Sequence, residues 1–167
     1  MRVAIALFAS LLAASLAVAA LASGGSVISS GGRWAAVLRG GQCDAESFAL
    51  DAPAAGKARA LAGFTFAADR SRWGQFHARL SHVPRGGASV IAILGRTPFQ
   101  LVARGQWAWS VGPSQERALI DAMRSADSLR IQSRDGAGRR FTDLYSLDFA
   151  PTAIDAAAAR CSMLVPG

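Results

Sequence analysis

The stretch Arg139 to Cys161 (RRFTDLYSLDFAPTAIDAAAARC) restricts the fold more than any other part of the chain. Phe141, Tyr145, Leu147 and Phe149 share one parity, while Thr142, Ser146 and Asp148 take the other. This period-two pattern, interrupted at Asp143 and Leu144, predicts a strand. Pro151 breaks the strand, and Thr152 can then cap a helix over 152–161, with Asp155 near the positive end of its dipole. Ile154, Ala157, Ala158 and Cys161 follow at helical spacing as one narrow apolar stripe. Their small side chains let the helix lie close to a sheet, with Cys161 on the buried face.

The rest of the chain supplies that sheet. Arg33 to Leu38 and Gln42 to Leu50 read as paired strands around the Arg39-Gly40-Gly41 turn. Ala60 to Ala67 sets Phe64 and Phe66 on one face, and Asp69-Arg70-Ser71 turns the chain. In Arg72 to Ser81, Phe76, Ala78 and Leu80 point inward, leaving Trp73, Gln75, His77, Arg79 and Ser81 outside. Ser89 to Leu94 is continuously apolar and predicts a central strand covered on both faces. Phe99, Leu101 and Ala103 alternate in the next strand, then Trp107, Trp109 and Val111.

Ser114 stands as the cap of a first helix over 114–126, with Leu119, Ala122, Met123 and Ala126 as its stripe. Leu129 and Ile131 resume the strand pattern, and Asp135-Gly136-Ala137-Gly138 makes a hairpin turn. The expected fold is mainly β with two helices, an antiparallel β-sandwich or open barrel in a single domain over 33–165.

The N-terminus predicts export. Val3 to Ala22 is apolar and uncharged, and Ala20-Leu21-Ala22 fits a signal-peptide cleavage site after Ala22. The competing reading is an uncleaved inner-membrane anchor over 3–22, since about 20 apolar residues just span a bilayer. Ser23 to Gly32 is rich in Gly and Ser and predicts a flexible tether. The 18 Lys and Arg against 11 Asp and Glu give a charge of +7, which becomes +6 once Arg2 leaves with the leader. Lys57 is the one lysine, so the positive charge is carried by arginine. Cys43 and Cys161 are an even pair, and in an oxidising compartment they predict a disulfide; two free buried thiols are the alternative.

No sequence of the G-x-S-x-G, H-E-x-x-H, C-x-x-C or P-loop type occurs. The histidines are His77, on an outward parity, and His82, at a strand end, so both read as surface residues. With Asp69 they are the sole candidates for a hydrolytic set. Asp143 interrupts an apolar face beside Arg139 and Arg140, and an Asp–Arg pair holding the hairpin is its simplest explanation. The strongest binding candidate is an Arg and aromatic surface of Arg70, Arg72, Trp73, His77, Arg79, Trp107 and Trp109, with Arg85, Arg96 and Arg104 in or beside following turns. Arg and Trp together grip anionic or sugar-like ligands by forked hydrogen bonds and stacking.

The closing stretch also resembles the invasion-associated locus B family of exported bacterial proteins. The resemblance rests on Gly136, Tyr145-Ser146-Leu147, Ala153-Ile154 and the helix ending at Cys161. An early Trp34, the leader and the helical segment from Glu116 (ERALIDAMRSADSLRI) also match. Leu38 stands where members commonly carry a cysteine, and Phe149 falls near a usual glycine. The resemblance implies a periplasmic or secreted β-rich envelope domain, linked in some members to host-cell entry, with no catalytic residues to carry over. These features together predict an exported, non-enzymatic binding or accessory protein without cofactor or metal. Its expected partner is an envelope protein or an anionic surface polymer, not a specific nucleic acid. The alternatives are a small periplasmic hydrolase using His77, His82 and Asp69, and a polyanion-binding module using the Arg/Trp face.

Overall fold

A computed structural model describes residues 24–164. The leader and cleavage site expected over 1–22 lie outside them. The strands in chain order are β1 (Ser26–Gly31), β2 (Trp34–Arg39), β3 (Gln42–Phe48), β4 (Leu61–Ala67) and β5 (Trp73–Arg79), then β6 (Val90–Leu94), β7 (Thr97–Arg104) and β8 (Trp107–Trp109). Helix α1 (Pro113–Met123), strands β9 (Ser128–Arg134) and β10 (Arg140–Ser146), and helix α2 (Ala150–Ser162) complete the fold. All strand pairs are antiparallel, in the order β1-β2-β3-β4-β5-β8-β7-β6-β9-β10. The sheet does not close, so the expected sandwich or open barrel of mainly antiparallel β with two helices is what forms.

Strand β7 turns the sheet. Its first residues, Thr97 to Leu101, pair with β6, and its last, Val102 to Arg104, pair with β8. The halves on either side of it share one core, in which Phe64, Phe76 and Leu80 meet Leu94, Leu129, Ile131 and Tyr145. Helix α2 covers the inner face of β1–β4. Its Ala150, Ala153, Ile154, Ala157 and Cys161 are buried against a sheet face that is itself small at Ala36, Ala45 and Ala62. Small residues on both sides let the helix axis approach, and dispersion contacts replace what larger side chains would bury. Cys161 and Cys43 form the expected disulfide, 118 residues apart in sequence. Trp34 reaches across the core and donates its indole N–H to the Ser146 carbonyl at 2.8 Å.

Several expectations are corrected. Residues 26–31, expected within a flexible tether, form edge strand β1 paired with β2. A strand bonded along one edge tolerates Ser and Gly, because its backbone ladder rather than its side chains holds it. Gly31 is required there: a Cβ would lie 2.7 Å from the Phe149 ring. Strand β6 is not covered on both faces, since Ile91 and Ile93 are half-exposed between buried Val90, Ala92 and Leu94. Neither Ser114 nor Thr152 caps its helix. The helices start earlier, at Pro113 and Ala150, each with a proline in the first turn, where its missing N–H costs nothing. Phe149 holds a left-handed backbone, with φ 70°, a conformation that favours glycine. Asp143 does not pair with Arg139 or Arg140. It is buried and accepts the Ser81 backbone N–H at 3.0 Å, and burial raises its pKa above the ordinary carboxylate value. The hairpin is held instead by Asp135, which bridges Arg139.

Candidate functional site

No element of the described residues covers the face of β3–β5 and β8 turned away from α2, and the ladder register decides what it displays. Residues directly opposite across antiparallel strands share a face. One row is Glu46–Gly63–His77–Trp109; beside it on one side run Asp44, Thr65 and Gln75, and on the other Leu61, Arg79 and Trp107. These rows line a groove of about 320 Å³. Gly63 leaves the middle of its row without a side chain, and none would fit, because a Cβ there would lie 2.5 Å from the Ala45 carbonyl oxygen.

Five of the seven expected binding residues line this groove: Arg72, His77, Arg79, Trp107 and Trp109. The other two do not. A local irregularity at the start of β5, where Gly74 takes φ 81°, turns Trp73 toward the core edge. There it meets Phe66 edge-on at 5.4 Å, and the Arg70 guanidinium stacks 3.7 Å above its ring. Arg70 and Trp73 thus satisfy each other away from the groove.

Asp44, Glu46 and Thr65 were not foreseen as site residues, although Asp44 and Glu46 alternate with Cys43 and Ala45 along β3. Thr65 Oγ1 donates to Asp44 Oδ1 at 2.7 Å and lies 3.2 Å from His77 Nδ1. A hydroxyl has a single proton, and here the carboxylate takes it. His77 Nδ1 therefore carries a proton and donates, which leaves Nε2 as an acceptor. Burial lowers the His77 pKa despite the opposing pull of Asp44 and Glu46 and of the Gln75 carbonyl, so the ring is neutral. His77 is not the plain surface residue that its parity suggests.

The two arginines that line the groove, Arg72 and Arg79, and Arg39, which bonds its acidic residues from outside the lining, are already engaged. Arg39 bridges Asp44 at 3.3 Å and Glu46 at 2.5 Å, and its bond to Glu46 raises its pKa. Arg72 donates to Gln42 Oε1 at 2.6 Å, and the Gln42 amide in turn donates to Asp44 at 2.9 Å. Arg79 directs Nε and Nη2 at the Arg59 carbonyl, 3.3 and 2.8 Å away. Its guanidinium lies 5.9 Å from the centroid of the Trp107 ring, which also neighbours His77 at 6.3 Å. Trp107 is 37% exposed, the open aromatic wall of the groove.

The residues considered for hydrolysis stay apart. Asp69 closes a turn by accepting Ser71 N–H and Oγ–H, and His82 contacts Ser81 Oγ at 2.9 Å and packs on Phe141. Neither lines the groove with His77. Among the described residues no three His, Cys, Asp or Glu side chains gather as metal ligands, and no helix is long and apolar enough to cross a membrane. No protein-family model matches the chain, and neither a curated protein nor a solved structure does.

Proposed function

We propose that this chain is an exported, non-enzymatic binding domain that takes a hydroxyl-rich, saccharide-like ligand of the cell envelope in the groove of β3–β5 and β8. The observation that carries the reading is the occupancy of the arginine forks. Arg39, Arg72 and Arg79 spend donors on protein carboxylate, amide and carbonyl oxygens, and Asp44 and Glu46 offset their charge. A polyanion needs free forks. Carboxylate and imidazole acceptors beside an exposed indole suit sugar hydroxyls and the apolar face of a pyranose instead. The disulfide fits an oxidising compartment, and the resemblance of 116–161 to invasion-associated locus B proteins supports an envelope role.

The test is titration of the purified protein with a panel of neutral oligosaccharides, followed by indole fluorescence and calorimetry. Saturable binding that weakens about tenfold or more in Trp107→Ala is expected, the scale of one lost stacking contact. Equal binding by the variant, or none by either protein to any member of the panel, sinks the reading. A second reading, hydrolysis with His77 Nε2 as base, draws on the Asp44–Thr65–His77 relay. Turnover of a bound oligosaccharide that His77→Gln abolishes would favour it over simple binding.

A further inference from the structure

The opposite half of the sheet carries arginines of a different kind. The outward positions of β9 are Ser128, Arg130, Gln132 and Arg134; those of β10 are Arg140, Thr142, Leu144 and Ser146. No acidic side chain stands on this face of either strand or of β6. Arg134 and Arg140 are directly opposite in register. Like charges at opposed positions sit with Cβ atoms about 5 Å apart and destabilise the pair. Nothing nearby relieves them: among the described residues, no carboxylate lies within ion-pair distance of Arg85, Arg130, Arg134 or Arg140, and Asp135 is held by Arg139.

The loop after β5 adds to this concentration of charge. Pro84 bridges Asp135, and the Arg85 N–H donates to the Arg134 carbonyl at 2.9 Å, which pins Arg85 beside the strand pair. Arg85, Arg134 and Arg140 then line an open groove of about 580 Å³ with Gln132 and Thr142 on its floor. Arg134 spends one donor on the Gly138 carbonyl; no other bond engages the guanidinium groups of Arg85, Arg130 and Arg140 among the described residues. Arg130 extends the row, about 13 Å from Arg134 along the strand at the usual rise per residue.

We propose that this face is a second binding site, which takes the anionic groups of an extended acidic polysaccharide along the Arg85, Arg140, Arg134 and Arg130 track. The unengaged guanidinium forks of Arg85, Arg130 and Arg140, with the donors Arg134 does not spend on Gly138, match carboxylate and sulfate oxygens, and a bound anion removes the Arg134–Arg140 repulsion. Of the residues lining this groove only Phe141 is aromatic, and it is half-buried with its ring against His82, so the groove lacks the series of exposed rings on which single-stranded nucleic acids stack. Among the described residues no helix projects from it to enter a duplex groove.

Heparin and polygalacturonate are the probes, with the full chain in low salt. Binding to at least one is expected, with affinity falling as salt rises. Response to both assigns the shared anion chemistry, while response to heparin alone restricts the site to sulfate. Arg134→Gln/Arg140→Gln is expected to weaken binding about tenfold or more, as loss of two charge contacts in partly screened surroundings should. The same variant should melt no lower than the parent, because it removes a repulsion. Arg85→Gln/Arg130→Gln should weaken binding from independent positions, and Trp107→Ala should leave it intact. Undiminished binding in both arginine variants overturns the site. A single-stranded oligonucleotide that competes as well as either glycan overturns the polysaccharide assignment.

Discussion

Replacing both cysteines by alanine tests how the fold is clasped. Cys43 lies on β3 and Cys161 in the last turn of α2, both fully buried, and their bridge spans 118 residues. In the chain-entropy description, a loop of that size restricts the unfolded chain by an amount worth about 5 kcal/mol at 25 °C. At about 2–4 °C per kcal/mol for a domain of this size, Cys43→Ala/Cys161→Ala should melt about 10–20 °C lower. The fold itself should persist, because Ala153, Ile154 and Ala157 keep α2 packed on the sheet. Thermal unfolding followed by circular dichroism, with parent and variant at one pH, reads the difference. The parent's mass under non-reducing conditions should be two hydrogens below that of the reduced chain. A fall in melting temperature below about 3 °C would refute the entropic argument, and two alkylatable thiols in the folded parent would refute the bridge.

Tyr145 buries a hydroxyl with no hydrogen-bond partner among the described residues, so Tyr145→Phe should leave stability unchanged or raise it by up to about 1 kcal/mol in urea unfolding; a loss of that size would mean the hydroxyl is bonded. Gly63→Ala should cost about 1–3 kcal/mol, since the added Cβ forces β3 and β4 apart at the Ala45 carbonyl; a neutral substitution would show the groove floor to be pliable. His77 has a folded pKa below the ordinary value of about 6.5, so the unfolded chain binds the proton more readily. Its share of stability is present above that value and declines as pH falls through it. His77→Gln should therefore flatten the slope of stability as pH falls below about 6.5, measured by urea midpoints, and an unaltered slope would contradict the lowered His77 pKa.

Period-two patterning is enough to place β5, β9 and β10, because each buries one face and leaves the other wetter, whereas β4 is buried on both faces and shows itself by its Phe64 and Phe66 alternation. The same rule missed β1. An edge strand of Ser and Gly has no such contrast, and backbone pairing alone makes it a strand. Helix stripes were legible, but caps were not: the turn at Phe149 depends on a left-handed residue whose ring covers Gly31, a contact 118 positions away. In the groove, parity puts His77 and Arg79 on the outer face, where the structure has them, and the alternation of Trp107 and Trp109 sets both on that same face. It misplaced Trp73, because the Gly74 irregularity shifts the alternation by one. Asp44 and Thr65 belong to strands whose mutual register no local pattern specifies, so their relay to His77 emerged with the ladder.

The central claim, that the β3–β5 and β8 groove is where a saccharide binds, is tested most directly at the His77 ring. Nitrogen-15 NMR of the free protein should show the Nδ1-protonated neutral tautomer. Addition of an oligosaccharide that binds should shift the Nε2 resonance and the Trp107 and Trp109 indole signals together, with one saturation curve. Binding that leaves all three unmoved would contradict the account.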